Sequence, residues 1–93
     1  DACLEDARAV GMDEIAEVIT TGCAQLGVSE ACPARFWERF RSAPLVLSKG
    51  QANFESVPPD ERVFFLLTAK CELVARMLGV PLRESVLVWG PHI

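Results

Sequence analysis

No apolar run in the sequence approaches the ~18 residues that a membrane-spanning helix needs, and no secretory leader is visible at its start. A membrane partner is therefore not expected, and the cytoplasm is the expected compartment. Histidine is almost absent: His92 stands alone, and the four cysteines at 3, 23, 32 and 71 form no C-x-x-C pair, so no Cys/His zinc pattern is present. The cysteines are expected to be small, reduced, buried apolar residues. Excess positive charge is missing too. Nine Lys and Arg against 13 Asp and Glu leave a net charge of −4, which speaks against nucleic acid as a partner. There is no G-x-G-x-x-G, no H-E-x-x-H and no G-x-S-x-G. The stretch Gly22 to Ser29, GCAQLGVS, has the glycine spacing of a phosphate loop, but Val28 stands where its lysine must be. A nucleotide-binding loop is disfavoured on that ground, and a glycine-permitted turn is the plainer reading.

What is present is an ordinary globular composition, 51% hydrophobic and 24% charged. At 93 residues the chain amounts to one small domain or a piece of a larger one. It begins at Asp1 rather than methionine, as a trimmed or partial chain would. Four short apolar runs read as strands: Ile15 to Thr20, Leu45 to Ser48, Val63 to Thr68 and Ser85 to Trp89. None alternates cleanly with period two, the pattern of strands buried on both faces. Helical segments separate them. Leu4 to Val10 closes on Gly11. Pro33 to Ser42 has proline in its first turn and Phe36, Trp37 and Phe40 to one side. Cys71 to Leu78 ends at Gly79, the expected cap. A loop or short helix follows the second run. This alternation predicts an α/β fold with a parallel sheet and helices on its faces.

Parallel strands send their carboxyl ends to one side, where ligands collect. Thr20-Thr21-Gly22, the segment from Ser48 to Asn53, and Lys70 all fall there, and Asp1 precedes a helix beside them. Hydroxyls, a glycine-flanked backbone, a lysine and an asparagine suit an anion, and an aspartate suits a hard divalent cation. Each also has a plainer reading. Lys49 is equally a solvated surface charge, Asp1 a helix N-cap, and Asn53 a turn residue.

Three segments in order carry a resemblance. LSKGQANFES from Leu47, VFFLLTAKCELVARMLGVPL from Val63, and DACLEDARAVGMDEI from Asp1 resemble the carboxyl-terminal portion of the DUF89 family of metal-dependent damage-control phosphatases. The likeness spans essentially all of residues 1–93, which are then the carboxyl-terminal part of one such phosphatase domain. It implies a three-layer α/β fold, a mostly parallel sheet with helices on both faces. The activity implied is hydrolysis of phosphate esters of small metabolites, sugar phosphates or damaged phospho-metabolites, with Mg2+, Mn2+, Co2+ or Ni2+. By the same likeness Asp1 is a metal ligand and Lys49 and Asn53 contact the substrate phosphate. Gly22, Gly50 and Gln51 shape the pocket, and Asp6 orients it. The family's Asp-Asn metal pair is missing, because the aspartates here precede Ala2, Ala7, Glu14 and Glu61. The likeness therefore implies a fragment, inactive alone, whose partner is the remaining part of the domain upstream of residue 1. The family's P-G-T stretch after the threonine-glycine turn is replaced by Cys23 to Val28, which leaves the substrate open. The alternative is a non-catalytic α/β module that packs against a partner chain or domain.

Overall fold

The computed structural model describes residues 2–92. Its elements are helix α1 (Leu4–Ala9), helix α2 (Ala34–Ser42), strand β1 (Val46–Lys49), helix α3 (Gln51–Ser56), strand β2 (Val63–Thr68), helix α4 (Glu72–Leu78) and strand β3 (Ser85–Trp89). Single 3-10 turns cover Met12–Glu14 and Gly90–His92. No helix among the described residues is long and apolar enough to cross a membrane.

The strands form one sheet in the order β1-β2-β3. β1 runs parallel to β2, with Val46 opposite Val63 and Lys49 opposite Leu66. β3 runs antiparallel to β2, with Phe64 opposite Trp89 and Thr68 opposite Ser85. The α/β class is as expected, and two elements differ in detail. The first is the direction of β3. The chain re-enters the sheet at the end it left, where the Ala69 N–H bonds the Glu84 carbonyl at 2.9 Å and the Arg83 N–H bonds the Ala69 carbonyl at 2.7 Å, and these bonds tie the start of β3 to the end of β2.

The second difference is Ile15 to Thr20, which is not a strand. A strand needs a neighbour to satisfy its backbone, and this run joins no ladder among the described residues. It is held by a side chain instead. The carboxylate of Glu17 takes both guanidinium nitrogens of Arg39 on α2, at 2.7 and 2.8 Å. That pairing draws the Glu17 carboxyl below its usual range. Ile15 remains 81% exposed.

β2 alternates between two unlike faces. Val63, Phe65 and Leu67 are buried, and they join Phe54 and Val57 of the α3 region and Val74 and Ala75 of α4 in the core. Phe54 meets Phe65 edge to face, ring centroids 5.4 Å apart. Phe36, Trp37 and Phe40 bring α2 onto the same cluster. The described residues thus supply the sheet and the helical layer on one of its faces.

Arg62 joins α2 to the sheet. Its Nη1 donates to the carbonyls of Phe40 and Ala43 at 2.8 Å and of Arg41 at 3.1 Å, which satisfies the orphan carbonyls at the end of α2. Its guanidinium lies 5.3 Å from the Phe40 ring centroid, and its Nη2 donates to Asp60 at 2.8 Å. The Asp60 carboxyl is held below its usual range, first by that side-chain bond and then by the Arg62 N–H at 2.8 Å. A depressed carboxyl stabilises the fold above its unfolded pKa of about 3.9, and the gain is lost as pH falls through the lower folded value. The stability lead of the wild type over Asp60→Asn is therefore expected to be full at pH 6. It should shrink below about pH 4, read from urea midpoints of both proteins across pH.

Two of the four cysteines depart from the reduced state expected of them, and Cys3 is exposed rather than buried. Cys23 and Cys32 are disulfide-bonded, with Cα atoms 5.2 Å apart. Cys3 and Cys71 are free. The loop between the paired residues folds back because Val28 is buried in the core and its N–H bonds the Ser56 hydroxyl at 3.0 Å. A spacing of nine residues carries no sign of that fold-back.

Candidate functional site

β1 and β2 deliver two turns to one side of the sheet. The first, Lys49-Gly50, leads into α3; the second, Ala69-Lys70, leads into α4. Gln51 stitches them together. Its Oε1 accepts the Lys70 N–H at 2.9 Å, and its Nε2 lies 3.6 Å from the Cys71 sulfur and 3.5 Å from a Glu55 oxygen. The Gly50 N–H completes the join by donating to the Leu66 carbonyl at 2.9 Å.

Asn53 sits one turn into α3 and donates its amide to the Lys49 carbonyl at 2.8 Å. One amide hydrogen is used there and a second is left. The Lys49 side chain is exposed. Strand alternation turns it to the face opposite Ser48, which is buried and whose hydroxyl has no partner.

Gly50 adopts φ 98° and ψ 156°, a region open essentially to glycine alone. Nothing lies within 4 Å of a Cβ built there, so any cost of replacement comes from the backbone and not from crowding. Gly50→Ala is expected to destabilise by about 1–3 kcal/mol in denaturant unfolding.

The structure brings Lys49, Gly50, Gln51 and Asn53 together with the expected neighbour Lys70. Gly22 is placed elsewhere: a Cβ on it would lie 2.7 Å from the Pro33 ring and 3.6 Å from an Arg35 nitrogen, at the start of α2. Asp6 caps α1, accepting the Cys3 N–H at 2.8 Å and the Cys3 thiol at 3.2 Å, and these bonds lower its pKa. Asp1, the expected metal ligand, lies outside the described residues. Among the described residues no three His, Cys, Asp or Glu side chains gather as a metal ion requires. These residues alone do not make a metal centre.

Sequence reasoning missed the role of Gln51 as a link between turns. Its partner is 19 residues away, and only the adjacency of the parallel strands hinted at it.

Residues 1–86 match the family described as the damage-control phosphatase ARMT1-like domain. The damage-control phosphatase PH1575 of Pyrococcus horikoshii is 44% identical over 84 residues, covering 87% of this chain and 29% of that protein. A damage-control phosphatase of Archaeoglobus fulgidus is 39% identical over 90 residues, covering 92% and 31%. Protein MJ0202 of Methanocaldococcus jannaschii is 42% identical over 94 residues, covering 95% and 31%. The crystal structure of the DUF89 family protein from P. horikoshii superposes with a TM-score of 0.87 at 40% identity, over 97% of this chain and 33% of that one. The chain thus spans 29–31% of the length of these curated relatives.

Proposed function

This chain belongs to the damage-control phosphatase ARMT1-like family, and from that premise we propose that it is part of a longer phosphatase acting on phosphate esters of small metabolites. We infer from the resemblance of its motifs that it is the carboxyl-terminal part. The observation that carries the reading is the Gln51 link, which fixes the Lys49-to-Asn53 turn against Lys70 at the carboxyl side of a parallel strand pair.

In this reading the Lys49 ammonium offsets charge on the phosphoryl group, and the second amide hydrogen of Asn53 orients one of its oxygens. Gly50 and Gln51 hold that turn in shape. Gly22 contributes through the loop it starts and not through the turn. A divalent cation, Mg2+, Mn2+, Co2+ or Ni2+, belongs to the proposal for the whole protein, with Asp1 among its ligands and the others supplied by the rest of the domain. Such an ion would add Lewis-acid charge stabilisation. A cytoplasmic setting is part of the same proposal.

The full-length protein, stripped of metal and assayed on sugar phosphates, is expected to release inorganic phosphate when one of these ions is added and to stop when a chelator removes it. Absence of both phosphate release and calorimetric metal binding would favour the non-catalytic packing module instead.

A further inference from the structure

Cys23 and Cys32 close a ring of loop that the proposed phosphatase chemistry does not use. The ring is gripped between two helices. Val28 is buried, and its N–H donates to the Ser56 hydroxyl at 3.0 Å. That hydroxyl donates in turn to the Ala52 carbonyl at 2.8 Å, in the first turn of α3. Gly27 presses on the same turn: a Cβ built there would collide with the Ser56 side chain and lie 2.9 Å from the Ala52 carbonyl oxygen. On the other side, the Trp37 indole N–H of α2 donates to the Ser29 carbonyl at 3.1 Å. Asn53 follows Ala52 directly on the helix that the ring holds.

We propose that Cys23 and Cys32 form a reversible thiol–disulfide site for low-molecular-weight thiols and their disulfides. Its state fixes or frees residues 24–31, and with them the first turn of α3. Two observations support this. A disulfide that forms in a reducing compartment is usually transient, catalytic or redox-sensing. The two sulfurs also differ in access, since Cys23 is half-buried and Cys32 is 4% exposed.

A small thiolate therefore attacks the Cys23 sulfur. The bond between the two cysteines breaks, and its electron pair stays on the Cys32 sulfur, which accepts the Ser29 N–H at 3.4 Å. A mixed disulfide remains on Cys23. A second small thiolate attacks the outer sulfur of that mixed disulfide and releases Cys23. The protein gains two electrons, two small thiols leave as one small disulfide, and their two protons end on Cys23 and Cys32. Oxidation by a small disulfide runs the same steps backwards. Once the ring is open, the loop regains conformations that the closed ring forbids, and the contacts of Gly27 and Val28 with α3 weaken.

The inference rests on the phosphatase reading only for the role of Asn53, so amide exchange and phosphate release are read separately. Hydrogen exchange of the unaltered full-length protein, followed by peptide mass spectrometry in reduced and in oxidised glutathione, tests it. A Cys23–Cys32 cross-linked peptide is expected in oxidised glutathione and is expected to vanish in reduced glutathione. Amides of residues 24–31 and 51–56 should exchange about tenfold or more faster in the reduced protein, within the roughly hundredfold that closing a ring of this length is worth. Cys23→Ser should exchange at the reduced rate in both buffers. Failure to cross-link in oxidised glutathione overturns the inference, and so does equal exchange in the two states. A response that survives in Cys23→Ser also overturns it, because another cysteine is then the source. Cross-linking with slowed exchange in a sample that releases no phosphate upholds this inference while the activity reading fails.

Discussion

Lys49→Ala in the full-length protein is expected to lower phosphate release by about 100- to 1,000-fold, the loss seen when one preorganised donor to a developing anion is removed. It should leave the unfolding midpoint nearly unchanged. The two halves of this expectation have different sources. The stability half comes from exposure: Lys49 is exposed and forms no salt bridge among the described residues, and substitutions of that kind stay within about 0.5 kcal/mol. Its backbone carbonyl still accepts the Asn53 amide after truncation, so the turn keeps its shape. The activity half comes from position, because the lysine stands at the carboxyl end of β1 on a turn held by Gln51. Lys49→Arg keeps the charge but not the compact ammonium, so partial recovery is expected. Steady-state phosphate release and a urea midpoint on the same preparations decide it. Full activity in Lys49→Ala would remove Lys49 from the site.

The turn that holds Lys49 was legible because its evidence is local. Ser48-Lys49-Gly50 ends an apolar run, and Gly50 occupies the backbone region where other residues are strained. β2 and β3 were legible for a related reason, since unbroken apolar runs of strand length leave few alternatives. Ile15 to Thr20 shows where that reasoning stops. Its composition suits a strand, but the run joins no ladder among the described residues, and Glu17 pairs with Arg39 of α2 instead. Arg62 was invisible for the same reason. Its partners at Phe40, Arg41 and Ala43 lie 19 to 22 residues away, and nothing in the local sequence marks a guanidinium as the cap of a distant helix. The direction of β3 turned on the bonds that Ala69 makes with Glu84 and Arg83, which join positions distant in the chain and leave no local mark.

Phe65→Ala is expected to cost about 3–5 kcal/mol, the largest effect of any single truncation considered. Phe65 is fully buried at the centre of β2, its ring set edge-on to Phe54, and Val63, Leu67 and Val74 belong to the same cluster. Removing the ring forfeits its burial and leaves a cavity among β-branched and aromatic neighbours that cannot close without moving strands held on both sides by ladder bonds. A loss of that size is a large fraction of the 5–15 kcal/mol that typically holds a domain together. The denaturant midpoint of the full-length variant should therefore fall steeply with its slope unchanged. Phe64 is the informative neighbour. It stands one residue away on the opposite face and is only half-buried among the described residues. If other segments cover that face, Phe64→Ala approaches the cost of Phe65→Ala; if the face is open to water, the two costs separate by the difference in buried ring area. A midpoint loss for Phe65→Ala below about 1 kcal/mol would contradict the core assignment itself, because a fully enclosed aromatic ring cannot be deleted that cheaply.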